Sequence, residues 1–557
     1  MNEPSTAPQP DTMHTGSTPN SHFDALVIGA GFCGLYATWR LRQLGLTVQS
    51  IDAGADVGGV WNWNRYPGAQ TDSSHNTYRF TFDQELREHA AYSKKFPGQP
   101  EVLAYLNHVA TRYDLRSHYL FNTSITTATY DDDSGLWNLT ANTGQTFTAT
   151  YFITGAGLVS DPVIPAYPGI DGFAGEIHFT SKWPHSGVDL AGKRIALIGT
   201  GSSGIQITGT LAAEASQLTV YQRTPNYVVP TGNRAVTAEE REQLGTNHRE
   251  IARLVRNHPA AFPFAPSNDR LLADVTPDER DRVFEEMWER GGFSLLYESF
   301  DDIFDGEGNQ QACEFLRRKI REIVKDPKTA ELLTPHYPYG AKRPPTGDTF
   351  YQAFNEPHVE LVSIRETPIL EFTPRGIVTA DGEREFDIVV FATGFDAGTG
   401  AFTRMDIRGR GGESLNDHWN AGPSTFLGIS VHGFPNFFMV AGPHSPFSNL
   451  PPGAEQCGNW IADCIEYMRA NGIATMEPSI ETEAGWNEHV IWAAERVLGA
   501  TSGASANSWA VGANIEGKPQ AYYFYFGGAN IYGDMLEAEA AAAYPSYSKL
   551  GSTVSVA

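Results

Sequence analysis

Short apolar runs that end in glycine-rich turns recur along the chain. Residues 23–52 read FDALVIGAGFCGLYATWRLRQLGLTVQSID: an apolar run, a glycine turn, a segment with helical spacing and a second apolar run. Because strands buried in a parallel sheet read as continuous hydrophobic runs, this order predicts strand, helix and parallel strand. Residues 193–223 repeat it, and residues 147–157 and 386–396 each predict a further strand that ends at glycines. The pattern predicts an α/β fold.

A charged segment interrupts this alternation. Residues 235–335 carry charged residues at helical spacing, as in TPDERDRVFEEMWER, which predicts a helical insertion. Residues 1–22 are rich in Pro, Ser and Thr and lack the basic and apolar regions of a signal peptide, so we predict a disordered tail. We place one α/β domain at 23–158 and 391–557, and a second, inserted in the first, at 159–234 and 336–390.

The balance of charge limits the possible partners. The chain has 557 residues with 40 Lys and Arg against 65 Asp and Glu, a formal charge of −25. This charge argues against nucleic acid or an anionic membrane as the main partner, since both need a cationic surface. No apolar run approaches the roughly 18 residues of a membrane span. The four cysteines form no CxxC pair, so we predict a reducing, cytoplasmic location and no metal site.

The first glycine turn has the spacing of a dinucleotide-binding fingerprint. Gly29, Gly31 and Gly34 follow a predicted strand and open a predicted helix. Such glycines permit a tight turn, let backbone amides approach a pyrophosphate, and allow close packing of helix on strand. Asp52 ends the next strand, where an acid binds the ribose 2′-hydroxyl of an adenosine. We therefore predict an FAD site.

The second turn has the same spacing but a different strand end. Gly199, Gly201 and Gly204 repeat the fingerprint, and Arg223 stands where the first unit has an acid. A cation there favours a ribose 2′-phosphate, so this Rossmann-like unit suits NADPH rather than NADH. The residues predicted to bind NADP here are Gly199, Thr200, Gly201, Ser202, Ser203, Arg223 and Thr224. Cys33, in the phosphate turn, is the only cysteine in the N-terminal half of the chain, so a disulfide reductase is disfavoured and molecular oxygen is the next acceptor to consider.

Several further motifs occur in a fixed order. The loop GGVWNWNRYPGAQTD covers residues 58–72, and AKRPP covers residues 341–345. FATGFDAGTG, LNDHW, FMVAGPHSPFSNLPP and SWAVGANIEGKP follow. Over roughly residues 23–532 this set resembles the flavin-dependent Baeyer–Villiger monooxygenases, and within them the cyclohexanone and phenylacetone monooxygenases.

The resemblance implies an activity. In the family, NADPH reduces FAD, oxygen adds to the flavin at C4a, and the resulting peroxide inserts oxygen beside the carbonyl of a ketone. A small hydrophobic, cyclic ketone and O2 would be the partners, a lactone or ester the product, and a monomer is favoured. The alternatives are an N- or S-oxidising flavin monooxygenase, a flavoprotein reductase that does not oxygenate its substrate, and a flavin-binding redox sensor.

The resemblance also implies site residues. Arg343 would be the catalytic cation and Asp72 the carboxylate behind it; a guanidinium keeps its proton and can stabilise an anionic oxygen. The FAD contacts would be Gly59, Trp61, Asp72 and Tyr78. The additional NADP contacts would be Tyr66, Lys342 and Trp509. The substrate pocket would be lined by Phe447, Ser448, Leu450 and Phe524.

One motif departs from the family pattern. The family fingerprint FxGxxxHxxxW is followed by Pro or Asp, and here residues 173–184 read FAGEIHFTSKWP. Phe179 occupies the histidine position, and His178 precedes it by one residue. Either His178 replaces the missing imidazole, or an aromatic ring packs this linker without it. We favour packing, because Phe173, Gly175 and Trp183 keep their spacing.

Overall fold

The computed structural model describes residues 21–88, 92–264, 270–304 and 306–551. The predicted tail at 1–22 lies outside them except for Ser21 and His22, which begin the first strand. The strands are β1 (Ser21–Ile28), β2 (Val48–Ile51), β3 (Tyr119–Leu120), β4 (Ile125–Asp131), β5 (Leu136–Ala141), β6 (Thr146–Thr154), β7 (Glu176–Phe179), β8 (Arg194–Ile198), β9 (Gln217–Gln222), β10 (Val359–Ser363), β11 (Ile369–Phe372), β12 (Gly376–Thr379), β13 (Gly382–Glu385), β14 (Ile388–Phe391), β15 (Asp406–Arg408), β16 (Phe437–Met439), β17 (Ile473–Pro478) and β18 (Tyr547–Gly551). The helices are α1 (Phe32–Gln43), α2 (Val60–Trp63), α3 (Gln84–Glu88), α4 (Gln99–Arg112), α5 (Ser202–Glu214), α6 (Ala238–Thr246), α7 (His248–Asn257), α8 (Pro277–Arg290), α9 (Ser294–Tyr297), α10 (Gly306–Ile323), α11 (Pro327–Leu332), α12 (Phe350–Ala353), α13 (Gly400–Thr403), α14 (Leu415–His418), α15 (Leu450–Ala470), α16 (Ile480–Ala494), α17 (Leu498–Thr501) and α18 (Ala529–Ala541).

The first sheet unites the two ends of the chain. Its strand order is β15-β4-β5-β6-β1-β2-β3, and β16 also pairs with β6. β1 runs parallel to β2 and β6, whereas β4, β5 and β6 form an antiparallel meander. α1 and α15 share a buried core with this sheet that includes Ala37, Leu41, Cys464 and Ile465. The C-terminal part of the chain therefore completes a sheet that the N-terminal part begins.

The second sheet is entirely parallel, with the order β10-β9-β8-β14-β7. Its central residues Leu197, Val220 and Val390 are fully buried, which accounts for the continuous apolar runs in the sequence. Two dinucleotide-binding sheets in an α/β fold confirm the predicted fold class. The exact domain bounds stay a prediction.

Helices α6 to α11 occupy the segment predicted as a helical insertion. α8 begins at Pro277 after Thr276, whose hydroxyl accepts the Glu279 amide proton, so an N-cap fixes its start. The insertion packs around Phe284 and Phe315, both nearly inaccessible to solvent. Within the described residues, no helix is long and apolar enough to cross a membrane.

Candidate cofactor and active site

In the turn after β1, two of the three glycines lie directly against other backbone atoms, and the third has more room. Gly29 has φ 106°, and a Cβ there would lie 2.4 Å from the carbonyl oxygen of Gly155. A Cβ on Gly34 would lie 1.7 Å from the Gly29 oxygen, whereas one on Gly31 would meet only Gly59, at 3.4 Å. Helix and strand thus pack without side chains between them, and the N-terminus of α1 stays accessible. This cradle fits the pyrophosphate of a dinucleotide.

Asp52 follows β2 at the predicted position. Its Oδ2 accepts a hydrogen bond from the Ala30 amide, and its Oδ1 accepts one from the Gly54 amide, both at 2.6 Å. Burial raises the pKa of this carboxyl, and the two amides partly offset the effect. A carboxylate has about four lone-pair sites, so Asp52 retains acceptors for a ribose hydroxyl.

The turn after β8 repeats the cradle. Gly199 has φ 111°, and a Cβ there would lie 2.3 Å from the Ala392 oxygen. A Cβ on Gly204 would lie 2.1 Å from the Gly199 oxygen, but one on Gly201 would meet no atom within 4 Å. This turn therefore fits a second dinucleotide. It also contains the predicted residues Thr200, Ser202 and Ser203.

Three cations meet beside this turn. The charged groups that act on Lys342 are Arg223 and Arg365; together with burial, which has the larger effect, they lower the pKa of Lys342 to about 7. Arg365 also donates from Nη2 to Thr224 Oγ1 at 3.1 Å. Arg223, Thr224 and Lys342 were predicted, and Arg365 was missed. The sequence could have indicated Arg365, because this residue comes two positions after the end of β10, and neighbouring parallel strands end at the same edge of a sheet.

The aromatic loop of residues 58–72 bridges the two sheets. Trp61 donates from Nε1 to the Tyr78 hydroxyl at 3.1 Å within the first unit. Tyr66 donates from its hydroxyl to Gln206 Oε1 on α5 of the second unit, at 2.7 Å. Burial raises the pKa of Tyr66 to about 12. Tyr66 of the loop thus contacts the second unit while Trp61 contacts the first, and Gln206 is a partner that the sequence did not reveal.

Asp72 and Arg343 form a bidentate ion pair. Arg343 donates from Nε to Oδ2 and from Nη2 to Oδ1 of Asp72, each at 2.7 Å. The guanidinium lies over the ring of Phe293, 4.8 Å from its centroid. Burial opposes the charge of Arg343, but attraction to Asp72 outweighs burial and raises its pKa. The pair therefore holds a permanent cation in a fixed orientation, across a sequence separation of 271 residues.

Trp509, an expected NADP contact, and the expected substrate residues lie close together. Trp509 lies 5.5 Å from Phe447 and 5.3 Å from Phe524, measured between ring centroids. Ser448, Leu450 and Phe524 line a cavity of about 450 Å³. The ring cluster and this cavity share Phe524, so all five predicted residues belong to one region.

Phe179 and His178 point to the packing alternative for the linker. The Phe179 ring stacks on Phe391, with 5.1 Å between centroids, inside the second unit. His178 contacts Glu176 of its own strand through Nε2 at 2.8 Å. Trp183 and Tyr66 of the aromatic loop belong to the same buried cluster, and the His178 ring lies 5.6 Å from the Trp183 ring between centroids. This arrangement favours packing of the linker by an aromatic ring.

Comparison with known proteins identifies the family. The model "Flavin-binding monooxygenase-like" matches residues 24–236. A Baeyer–Villiger monooxygenase from Pseudooceanicola batsensis is 44% identical over 533 residues, covering 95% of this chain and 96% of the relative. The chain belongs to the flavin-dependent Baeyer–Villiger monooxygenases.

Two further relatives describe the range of the family. A crystal structure of cyclohexanone monooxygenase from Rhodococcus sp. Phi1 bound to NADP⁺ superposes with TM-score 0.93 at 42% identity, covering 96% of this chain and 100% of the other. A phenazine N-monooxygenase from Lysobacter antibioticus is 41% identical, covering 95% of this chain and 97% of the relative. This Baeyer–Villiger monooxygenase uses FAD and NADPH, and its reaction is the oxygenation of ketones.

Proposed function

We propose that this enzyme converts hydrophobic cyclic ketones into lactones, with Arg343 as the catalytic cation and Asp72 as its positioning carboxylate. The observation that carries the proposal is the bidentate pair, 2.7 Å at both contacts, beside the aromatic loop. We further propose that Asp52 binds the ribose of FAD, that Trp61 and Tyr78 contact its flavin, and that Arg223, Thr224 and Lys342 bind the 2′-phosphate of NADPH.

The chain's residues would act by charge and by exclusion of water. Reduced flavin, when bound, supplies the activation of oxygen. Arg343 does not lose its proton at any working pH, so it can stabilise negative charge on the reacting oxygens without neutralising them by proton transfer. Asp72 fixes the direction of the guanidinium, which makes the stabilisation available without reorganisation. Trp509, Phe447 and Phe524 present apolar surface, which suits a hydrophobic ketone and keeps water out.

A panel of ketones tests this function. The FAD-loaded enzyme is given NADPH, ¹⁸O₂ and one cyclic, one linear or one aryl ketone at a time. We expect a lactone or ester that carries one ¹⁸O atom, with one NADPH consumed per product. NADPH consumption that yields hydrogen peroxide and no oxygenated product, with every ketone, would instead indicate a reductase or oxidase.

The N-oxidising relative supports a second candidate. Oxidation of a ring nitrogen needs an electrophilic oxygen, whereas oxidation of a ketone needs a nucleophilic one. A guanidinium that retains its proton favours the nucleophilic form, so Arg343 favours the ketone. Phenazine and a tertiary amine, offered under the same conditions, test the alternative. If the N-oxides form faster than lactone forms from any of the ketones, N-oxidation becomes the favoured function.

A further inference from the structure

We infer that Arg365 is a third coenzyme-specificity residue, which completes the site for the 2′-phosphate of NADPH. The inference rests on the proposed placement of that phosphate at Arg223, Thr224 and Lys342. It concerns binding, so it can be tested without turnover.

The topology places Arg365 at this site. β10 pairs in parallel with β9, and Ser363 lies opposite Gln222. The two strands end side by side, so the chain beyond β10 runs next to Arg223 and Thr224. Arg223 and Arg365 are both exposed residues, and Arg223 donates from Nη2 to the Asn514 carbonyl at 3.2 Å.

Charge indicates the ligand's chemistry. The charge of Arg365 is close enough to affect the pKa of both Arg223 and Lys342. The pKa of each is lowered, mainly by burial and additionally by the neighbouring cations. Like charges at short range cost free energy unless an anion joins them. A phosphate monoester, with a charge of about −1.5 to −2 near neutral pH, would neutralise most of the cluster. Three cations that lie close together in a chain of net charge −25 favour the binding of an anion at this place.

Hydrogen bonding assigns Arg365 a second role at this site. Thr224 Oγ1 accepts from Arg365 Nη2 and from Asn507 Nδ2, both at 3.1 Å. A hydroxyl has two acceptor lone pairs and one proton. Because both lone pairs are occupied, the Thr224 proton is left to donate to an anion. Arg365 therefore supplies charge and also orients this donor.

Calorimetry on the FAD-loaded full chain tests the inference, with 2′,5′-ADP and 5′-AMP as the two probes. 5′-AMP differs from 2′,5′-ADP only by the absence of the 2′-phosphate, so it serves as the matched ligand. We expect Arg365→Ala to weaken 2′,5′-ADP binding by about 10- to 100-fold, the scale of a hydrogen bond to a charged group, and to change 5′-AMP binding less than about twofold. Arg365→Lys should retain most of the affinity, because it retains the charge.

Two variants provide the references. Arg375 is exposed and pairs with Glu383 and Glu385 on another sheet, so Arg375→Ala should bind both probes as the wild type does. Arg223→Ala measures the loss of 2′,5′-ADP affinity at a residue already proposed to contact the phosphate. If Arg365→Ala weakens both probes equally, or leaves 2′,5′-ADP unchanged while Arg223→Ala weakens it, Arg365 has no such role. A wild type that does not prefer 2′,5′-ADP to 5′-AMP overturns the proposed phosphate site itself, and Arg365 with it. Retained FAD absorbance confirms that each variant is folded.

Discussion

At the scale of single residues, we expect the ion pair between Arg343 and Asp72 to be needed for oxygen transfer and not for flavin reduction. Arg343→Ala should still bind FAD and be reduced by NADPH, since neither step needs the cation at the reacting oxygens. Lactone formation should fall by about 100-fold or more, the scale of losing one electrostatic stabiliser. Stopped-flow absorbance measures reduction, and gas chromatography measures product. Product per NADPH close to that of the wild type would exclude Arg343 as the stabiliser.

Asp72 should affect the same step through Arg343. Asp72→Asn keeps the shape but replaces a charged acceptor, so the guanidinium loses its bidentate partner. We expect a smaller loss than in Arg343→Ala, about 10-fold in lactone formation, and no further loss in the double variant. Additive losses in a double-mutant cycle would show that the two residues act independently.

Lys342 should couple coenzyme binding to pH. Burial, Arg223 and Arg365 lower its pKa to about 7, and its ammonium lies 5.3 Å from the centre of the Tyr337 ring. Above pH 7 the free enzyme therefore has a neutral Lys342, and a bound phosphate raises the pKa again. Binding of 2′,5′-ADP should take up a proton near pH 8, and affinity should fall as the pH rises from 7 to 9.

Calorimetry in two buffers of different ionisation enthalpy measures this uptake. The phosphate has a second pKa of about 6, so it contributes no proton at pH 8. Lys342→Met should abolish the uptake and flatten the pH dependence. Equal uptake in wild type and variant would place the titrating group elsewhere.

At the scale of elements, the strand β7 is held in the second sheet by aromatic packing and leads into the segment that carries Trp183. Phe179→Ala removes the stacking on Phe391 and should destabilise the enzyme by about 1–3 kcal/mol, less than for a fully buried ring. It should also raise hydrogen peroxide release per NADPH, because a loosened β7 disturbs the segment that follows it.

His178→Ala is the comparison variant; its ring contacts the exposed Glu176 and lies 5.6 Å from the Trp183 ring, measured between centroids. It should destabilise the enzyme less than Phe179→Ala does and leave peroxide release unchanged. Urea unfolding and a peroxide assay measure both effects. The opposite ranking of the two variants would show that His178 replaces the missing histidine.

The elements that local spacing defines were predictable from the sequence. Gly29 and Gly199 begin turns whose geometry depends on residues a few positions away, and Asp52 and Arg223 end the next strands. Asp72 and Arg343 are 271 residues apart, and no periodicity connects them, so only the family resemblance suggested the pair. Arg365 was missed because its role depends on the order of strands in the sheet, which the sequence pattern does not contain.

At the scale of the whole molecule, a half-buried histidine contributes to the pH dependence of folding stability. His418 on α14 contacts Glu413 through Nδ1 at 2.9 Å and Glu483 on α16 through Nε2 at 2.7 Å. Burial opposes the imidazolium, but the two carboxylates outweigh burial and raise the pKa of His418 to about 9. A raised pKa stabilises the folded state most below the unfolded pKa of about 6.5, and this contribution is lost as the pH rises through about 9.

The unfolding temperature should therefore fall between pH 7 and pH 9.5. His418→Gln should be less stable at pH 7 and should lose less on going to pH 9.5. Calorimetric scans at several pH values measure both slopes. If the unfolding temperatures of wild type and variant fall equally with pH, His418 does not determine the pH dependence of stability.

The sheet that joins the two ends of the chain also sets an order of synthesis. A ribosome delivers β1 and β2 early, but β15 and β16 appear only after residue 405, when every strand of the second sheet already exists. The second sheet can therefore be complete while β4 and β6 of the first sheet still lack β15 and β16 as neighbours. Because α15 comes later still, a helix made late closes the core behind the first glycine turn. We expect FAD to be held firmly only after that helix has been made.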